Sequence, residues 1–260
     1  MTQNTTAPDP AALDRLIDTL PIRPFLDALG ASFSSVSVLL LTIDLRIVYI
    51  NDVVLEAMPD HTRDNVVGVS LHTTASAPWI QERERFVQRT VATRRRTVIT
   101  DIVDGFRYCS RLATIDTPTV PLVLWTAEQI DALGLKHVRE TTPPEDLFAT
   151  ECIDLGVLNA LTDRELEVLA YMGQGLRPKD IAARISRSPS TVDRHRERIG
   201  HKLGIHDRAT LIRLANLAVL EPDDITRTRI VVNPRSRVHR ADNPLDAQLG
   251  STPDTTPDPA

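Results

Sequence analysis

Between Leu161 and Leu220 apolar positions recur at helical spacing, and polar punctuation cuts them into four segments. Leu166, Leu169, Ala170 and Gly173 fall at i, i+3, i+4 and i+7, one face of a 3.6-residue period. Thr162, with Glu165 three residues on, predicts the start of that helix as a capping box: the hydroxyl satisfies one orphan backbone donor and the carboxylate another. Gly173 and Gly175 mark its end. A second helix opens at Pro178, suited to the first helical position, and turns Ile181, Ala182 and Ile185 inward. After a short turn, Ser188 caps a third helix with Pro189 at its first position and Val192, His195, Ile199 and Leu203 as its inner stripe. Asp207 caps a fourth. There Leu211, Ile212, Leu214, Ala215, Leu217, Ala218, Val219 and Leu220 cover far more than the roughly 100° stripe that one core contact uses.

Upstream the pattern is mixed. Pro10 can open a helix with Leu13, Leu16, Ile17 and Leu20 on one face, and a short piece follows from Phe25 to Leu29. Val36 to Ile43 and Arg46 to Ile50 read as a buried hairpin, and Val53 to Met58 as a short helix. Ile80 to Thr93 is amphipathic, with Phe86, Val87, Thr90 and Val91 inward and Arg94, Arg95 and Arg96 at the end where positive charge suits the helix dipole. Thr97 to Val103 and Phe106 to Ile115 are strands joined by Asp104 and Gly105, a type I′ hairpin signal. Pro121 to Thr126 is a last strand. This order predicts an α+β domain, an antiparallel sheet with helices on one side, followed by an all-α four-helix domain. The expected boundaries are a flexible N-terminus over 1–12, the α+β domain over 13–127 and a connector over 128–157, broken at Thr141 to Pro144. The helical domain follows over 158–220, and a disordered tail over 221–260.

The polar side of the third helix points to function. At 100° per residue Ser190, Arg194, Glu197 and His201 cluster opposite the inner stripe, with Asp193 beside them and Thr191, Arg198 and Lys202 along a flank. Two short helices, a tight turn and a longer helix with polar groups outward form a shape that a DNA major groove accepts. Ser190, Asp193, Arg194 and Glu197 are expected to face bases, and Lys179, Thr191, His195, Arg198 and Lys202 to lie near phosphates. Charge agrees with this. The 260-residue chain carries a formal net charge of −5, yet within 158–220 Lys and Arg outnumber Asp and Glu by 11 to 7. The Arg94 to Arg96 run could be a second nucleic-acid patch but reads more readily as a solvated helix end.

The segment from Leu161 resembles the LuxR-type helix-turn-helix of bacterial transcription regulators. Leu161, Thr162, Arg164, Glu165, Glu167, Val168 and Leu169 carry the resemblance, with Gly175, Lys179, Ile181 and Ala182, then Ser188, Thr191, Val192, His195, Ile199, Lys202, Leu203, Gly204, Arg208 and Ala209. Arg187, Asp193 and Glu197 depart from the family's usual residues, which bears on the bases read. The resemblance implies pairing of two copies through the fourth helix. Leu211, Ala215 and Ala218 suit the parent domain, which leaves Leu214, Leu217 and Leu220 for a second copy; contact of these leucines with the connector or the α+β domain is the rival. A two-fold dimer would read an inverted repeat with half-site centres roughly 10 bp apart. The run Asp44 to Asn51, with Gly68, resembles the opening hairpin of a PAS sensor domain, which implies a region that senses a small molecule, redox state or protein, or that only dimerises.

Other chemistries find little support. His195 and His201 lie on opposite helix faces, which argues against a shared metal with His206. His72 and Cys109 are weak haem candidates. No cysteine lies between Asn51 and Tyr108, against a flavin adduct, and no phosphate-cradling loop or nucleophile elbow occurs. Lys136, Lys179 and Lys202 are the only lysines, so the N-terminal domain lacks the one a phosphorylated receiver would need. The reading is a non-enzymatic, sequence-specific transcription regulator in the cytoplasm, with no membrane span. Its partners are double-stranded DNA, a second copy of itself and RNA polymerase, and DNA binding requires no cofactor. The alternative is a protein-interaction adaptor whose helix-turn-helix no longer binds DNA.

Overall fold

A computed structural model describes residues 23–231, apart from 33–34, 57, 59 and 118–119. The helix expected from Pro10 and the tail beyond 231 lie outside the described residues. Helix α1 (Arg23–Ser32) precedes strands β1 (Val36–Thr42) and β2 (Ile47–Ile50). Short helices α2 (Asp52–Glu56) and α3 (Arg63–Val66) and a 3-10 turn at Leu71–Thr73 lead to α4 (Ala77–Thr93). Strands β3 (Thr97–Val103), β4 (Phe106–Ile115) and β5 (Leu122–Gln129) complete an antiparallel sheet in the order β2-β1-β5-β4-β3. The antiparallel sheet is the one the strand pattern leads one to expect, but helices cover both of its faces rather than one side.

Alternation along the strands sets the layers, since successive side chains leave a strand on opposite faces. Leu39 and Leu41 join Ile99, Leu112, Val123 and Trp125 beneath α4, which contributes Ile80 and Val87. Val38 and Leu40 pack on the other face against Leu26 of α1. Both faces of β1 are therefore buried, and this is why Val36 to Ile43 reads as a nearly continuous apolar run. Asn51 fastens the hairpin: its amide donates to Val36 O at 2.7 Å, and its oxygen accepts from Val38 N at 3.1 Å. Asp104 (φ 53°) and Gly105 (φ 83°) both take positive φ, as a type I′ turn requires. Under α4 lies a charged group that the sequence pattern conceals. Arg83, 1% exposed, ion-pairs with Asp101 and stands 4.7 Å from the ring centre of Trp79.

Two expectations need correction. The connector is not a plain link: β5 continues to Gln129, and α5 (Ala132–Thr141) packs Leu135 and Val138 over Val98 and Cys109, on the sheet face that α1 leaves open. After Pro143 and a 3-10 turn at Pro144–Asp146, strand β6 (Leu147–Ala149) pairs in parallel with β3, so the sheet is six-stranded and mixed rather than purely antiparallel. The chain after Leu220 is also ordered as far as the structure describes it. A 3-10 turn at Pro222–Thr226 and strand β8 (Thr228–Arg229) return to the connector, where β8 pairs in parallel with β7 (Cys152–Ile153). Composition reads 221–231 as disordered, yet Asp224 pairs with the buried Arg107, Glu221 with Arg139 and Arg229 with Asp163, all far away in sequence.

The four expected C-terminal helices are present: α6 (Asp163–Gly173), α7 (Pro178–Arg184), α8 (Pro189–Leu203) and α9 (Arg208–Ala218). Their core is continuous with the rest of the chain. One cluster holds Leu166, Leu169, Ile181, Val192, Ile199, Leu211 and Leu214 together with Ile102 and Phe106 of the sheet and Ile153, Leu155 and Leu158 of the connector.

Candidate nucleic-acid interface

Helix α6 begins as its sequence dictates. Thr162 N donates to Glu165 Oε2 at 2.8 Å, and Glu165 N to Thr162 Oγ1 at 3.4 Å, closing the capping box. The helix is then buried almost all round, with Val168, Tyr171 and Met172 inside beside the expected stripe. At Gly173 a Cβ atom would meet Ala215 O at 2.5 Å, so glycine there lets α9 approach α6 closely. Pro178 opens α7, which buries Ile181 and Ala182. Ser188 caps α8 by accepting from Thr191 N at 3.3 Å, with Pro189 following. Gly204, in the left-handed region at φ 69°, ends it.

Seated on Val192 and Ile199, α8 turns its other side to solvent. Ser190, Asp193, Arg194, Glu197, Arg198 and His201 are all exposed, as is Lys179 on α7. Arg194 and Glu197 form no hydrogen bond or ion pair within the described residues. Asp193 is different: Arg196 Nη1 donates to its Oδ1 at 2.8 Å. Ser190 Oγ lies 2.8 Å from Ser188 Oγ.

Three of the residues expected near phosphates, Lys202, His195 and Thr191, make contacts inside the domain. Lys202 Nζ donates to Glu165 Oε2 at 2.7 Å and to Ala160 O at 3.2 Å, tying the end of α8 to the start of α6. Burial works against the Glu165 carboxylate, but the hydrogen bonds from Lys202 and Thr162 outweigh it and hold its pKa below the usual carboxylate range. His195 is half-buried on the inner stripe, and burial, then Arg198, lowers its pKa and so favours the neutral imidazole. Thr191 lies 2.9 Å from Ser188 Oγ within the cap. The helical wheel does not show these contacts. A residue on the flank of a helical wheel faces solvent or a neighbouring helix according to what packs there, and the wheel does not contain that neighbour. Arg187, whose guanidinium donates only to the adjacent Ser186 O at 3.0 Å, stands exposed before the start of α8. Its charge was the available signal.

The apolar side of α9 is occupied within the chain. Leu214 (1% exposed) and Leu220 (4%) lie in the cluster shared with the connector and the sheet, and Leu217 packs against it. A buried polar knot seals the junction. Arg107 of β4, fully buried, donates through Nη2 to Val219 O at 3.0 Å and to the Asp224 carboxylate. Around it Arg139 of α5 grips Glu221 with two hydrogen bonds of 2.7 and 2.6 Å. Arg229 of β8 donates to Leu161 O at 2.9 Å and to Asp163 at the first turn of α6.

The Arg94 to Arg96 run also works internally. Arg94 pairs with Asp116 and Arg95 with Glu145 and Asp146 of the connector, while Arg96 is exposed. Cys109 sits under α5, where burial pushes its thiol up to about 11, and His72 is exposed with Nε2 3.0 Å from Glu84. The structure thus gives the haem candidates separate surroundings. Among the described residues no group of three or more His, Cys, Asp or Glu is placed to hold a metal, and no helix is long and apolar enough to cross a membrane.

Residues 159–215 match the family described as bacterial regulatory proteins, luxR family. The chain is 36% identical to the transcriptional regulatory protein LnrK of Bacillus subtilis (strain 168) over 74 residues, 28% of this chain and 29% of the relative. The match thus spans less than a third of the length of that curated relative. Among solved structures it is similar to Vibrio cholerae VqmA in a ligand–DNA complex, at 18% identity and a TM-score of 0.46 over 83% of this chain and 97% of that one. It is also similar to the PAS domain of nitrogen regulation protein NR(II) from Vibrio parahaemolyticus, at 16% identity and a TM-score of 0.31 over 43% and 100%. At such TM-scores neither structural likeness supports an argument about function. Residues 159–215 are a LuxR-type helix-turn-helix domain.

Proposed function

We propose that the chain is a transcription regulator that binds double-stranded DNA sequence-specifically through α8, and that the PAS-like region governs when it does so. One observation carries the reading. Arg194 and Glu197 are exposed, of opposite charge and three residues apart, a spacing at which helical side chains readily pair, yet neither pairs with a described residue. Groups held this way are available to base edges in a major groove, where Ser190, Arg194 and Glu197 face the bases, while Asp193 is turned back onto Arg196. Lys179, Arg187 and Arg198 reach phosphates and set the register of the helix on the duplex. Thr191, His195 and Lys202 support α8 from behind. The protein acts in the cytoplasm, without enzymatic chemistry, and RNA polymerase is its partner at a promoter.

The DNA-bound form is a homodimer joined through α9, reading an inverted repeat with half-site centres about 10 bp apart. With Leu214 and Leu220 inside the chain's own core, pairing through them requires the end of α9 to leave the sheet. The junction around Arg107 therefore opposes dimerisation, and the sensed signal acts by loosening it.

Fluorescence anisotropy of labelled genomic duplexes titrated with the full chain tests the reading. Arg194→Ala is expected to cost about 1–3 kcal/mol on the preferred site and little on unrelated DNA. Equal losses on all DNA would remove Arg194 from the bases. Failure of the wild-type chain to bind any duplex at low salt would favour the adaptor reading.

A further inference from the structure

The outward face of α8 carries two carboxylates, unusual company for phosphates, and the structure treats them differently. Asp193 Oδ1 accepts from Arg196, whose side chain is only 18% exposed and whose Nε is closed off from solvent. Arg196 is thus an anchored partner that neutralises Asp193 and fixes its direction. Among the described residues Glu197 has no such partner, and neither does Arg194 one helical turn before it.

We propose that Glu197 is a specificity-determining residue that reads cytosine, and that Arg194 reads guanine on the neighbouring base pair. This rests on the reading of α8 as the helix that enters the major groove. An ionised carboxylate offers acceptors only, so it meets an exocyclic amino group favourably and faces guanine O6 and N7 or thymine O4 with repulsion. Cytosine presents its N4 amino group. Adenine presents an amino group beside N7, an acceptor that repels the second carboxylate oxygen, so cytosine is preferred over adenine as well. Arginine presents donors only and matches the two acceptors of guanine. Three residues along an α-helix advance about 4.5 Å, close to the roughly 3.4 Å between base pairs, so the two side chains meet adjoining steps. Each half-site then contains two neighbouring G·C pairs. Asp193, held by Arg196, serves to place Arg196 and contributes little to base choice.

Selection of bound duplexes from a randomised pool, run with the full-length wild type and with Glu197→Gln, Glu197→Ala and Asp193→Asn, tests this. The wild type should enrich two adjoining G·C pairs in each half-site. Glu197→Gln should change the preference at one position from cytosine to adenine by about tenfold or more, because a glutamine amide matches adenine N6 and N7. Glu197→Ala should lose the preference there and keep the neighbouring guanine, whereas Asp193→Asn should select the wild-type site. All three positions are exposed, and matching circular dichroism melts establish that the variants fold alike. A Glu197→Gln protein that selects the wild-type site overturns the assignment while leaving sequence-specific binding intact. A switch produced by Asp193→Asn in place of Glu197→Gln overturns the division between the two carboxylates. A wild type that enriches no sequence overturns the DNA-binding reading itself, a different failure.

Discussion

The outward face of α8 and the inward face of α9 belong to the same small domain and have opposite fates. The first is polar, capped at both ends and left open to solvent. The second is apolar over most of its circumference, closed over by its own chain and sealed by a strap, residues 221–231, that follows the domain. The difference lies in what each kind of surface needs. A polar face is satisfied by water and waits for a ligand at no cost, whereas a broad apolar face must be covered at all times, by its own chain or by a second copy. Residues that recognise DNA can therefore stay exposed, and the surface that would pair two copies becomes the place where regulation acts.

The sharpest way to break that arrangement is through Arg107. Replacing it by Ala leaves the Val219 carbonyl unpaired and the buried Asp224 carboxylate with only Arg227 as its ion-pair partner, and deleting one member of a buried ion pair typically costs up to about 3–5 kcal/mol. Chemical denaturation should show a loss of that size. Hydrogen exchange should locate it in β7, β8 and the end of α9, with α8 still protected. Loss of protection in α8 before β8 would mean that the two faces are not separable.

A smaller effect is expected between α6 and α9. Gly173→Ala puts a methyl group where Ala215 O lies 2.5 Å away, so the two helices must part; overpacking of this kind costs about 1–3 kcal/mol. Thermal unfolding measures it, and an unchanged melting temperature would show that α9 yields freely.

Lys202 tests the other side of the comparison, because it sits at the end of the DNA-facing helix yet holds the domain together. Lys202→Met removes a hydrogen bond to a buried carboxylate, worth about 1.5–3 kcal/mol. Its signature is in pH. The Glu165 carboxylate has a lowered pKa in the folded chain, so its contribution is present above the unfolded value of about 4.3 and is lost as pH falls through the folded value. The stability gap between wild type and variant should narrow on acidification. A gap that stays constant with pH, together with a flattened salt dependence of DNA binding, would return Lys202 to the phosphate contacts.

Most of the helix-turn-helix was legible because its signals are local. A cap, a proline at the first turn and a 3.6-residue stripe each describe a few neighbouring residues, and Thr162, Pro178, Ser188 and Asp207 all start helices as read. Strands β1 to β5 were legible for the same reason, down to the positive φ of Asp104 and Gly105. What escaped were pairings across the chain. Arg107 looks like a polar residue on a strand, and nothing nearby announces Asp224, 117 positions later. Lys202 looks like a free cation until Glu165, 37 positions earlier, is brought beneath it. The connector helix α5 was hidden because Leu135 and Val138 form only a short stripe, and it covers a sheet face that a linear reading assigns to no element.

The mildest change sharpens the comparison most, because it touches the strap without opening the core. Glu221 sits at the rim of the Arg107 knot, 28% exposed, and is gripped by Arg139 of α5. Its carboxyl is held below the usual carboxylate range by Arg139 in the first place, despite partial burial, with help from Arg107 and Arg227. Pairs with this much solvent contact contribute about 0–1 kcal/mol, so Glu221→Gln should leave the melting temperature almost unchanged. If the junction restrains dimerisation, even that small loss biases the closed form toward the open one, and one kcal/mol is roughly a fivefold change in their ratio. Sedimentation of the full chain over a concentration series should then show dimers at lower concentration for Glu221→Gln than for wild type, with the folded core intact. Identical dimerisation curves, paired with a measurable loss of stability, would make the strap a structural brace with no part in regulation.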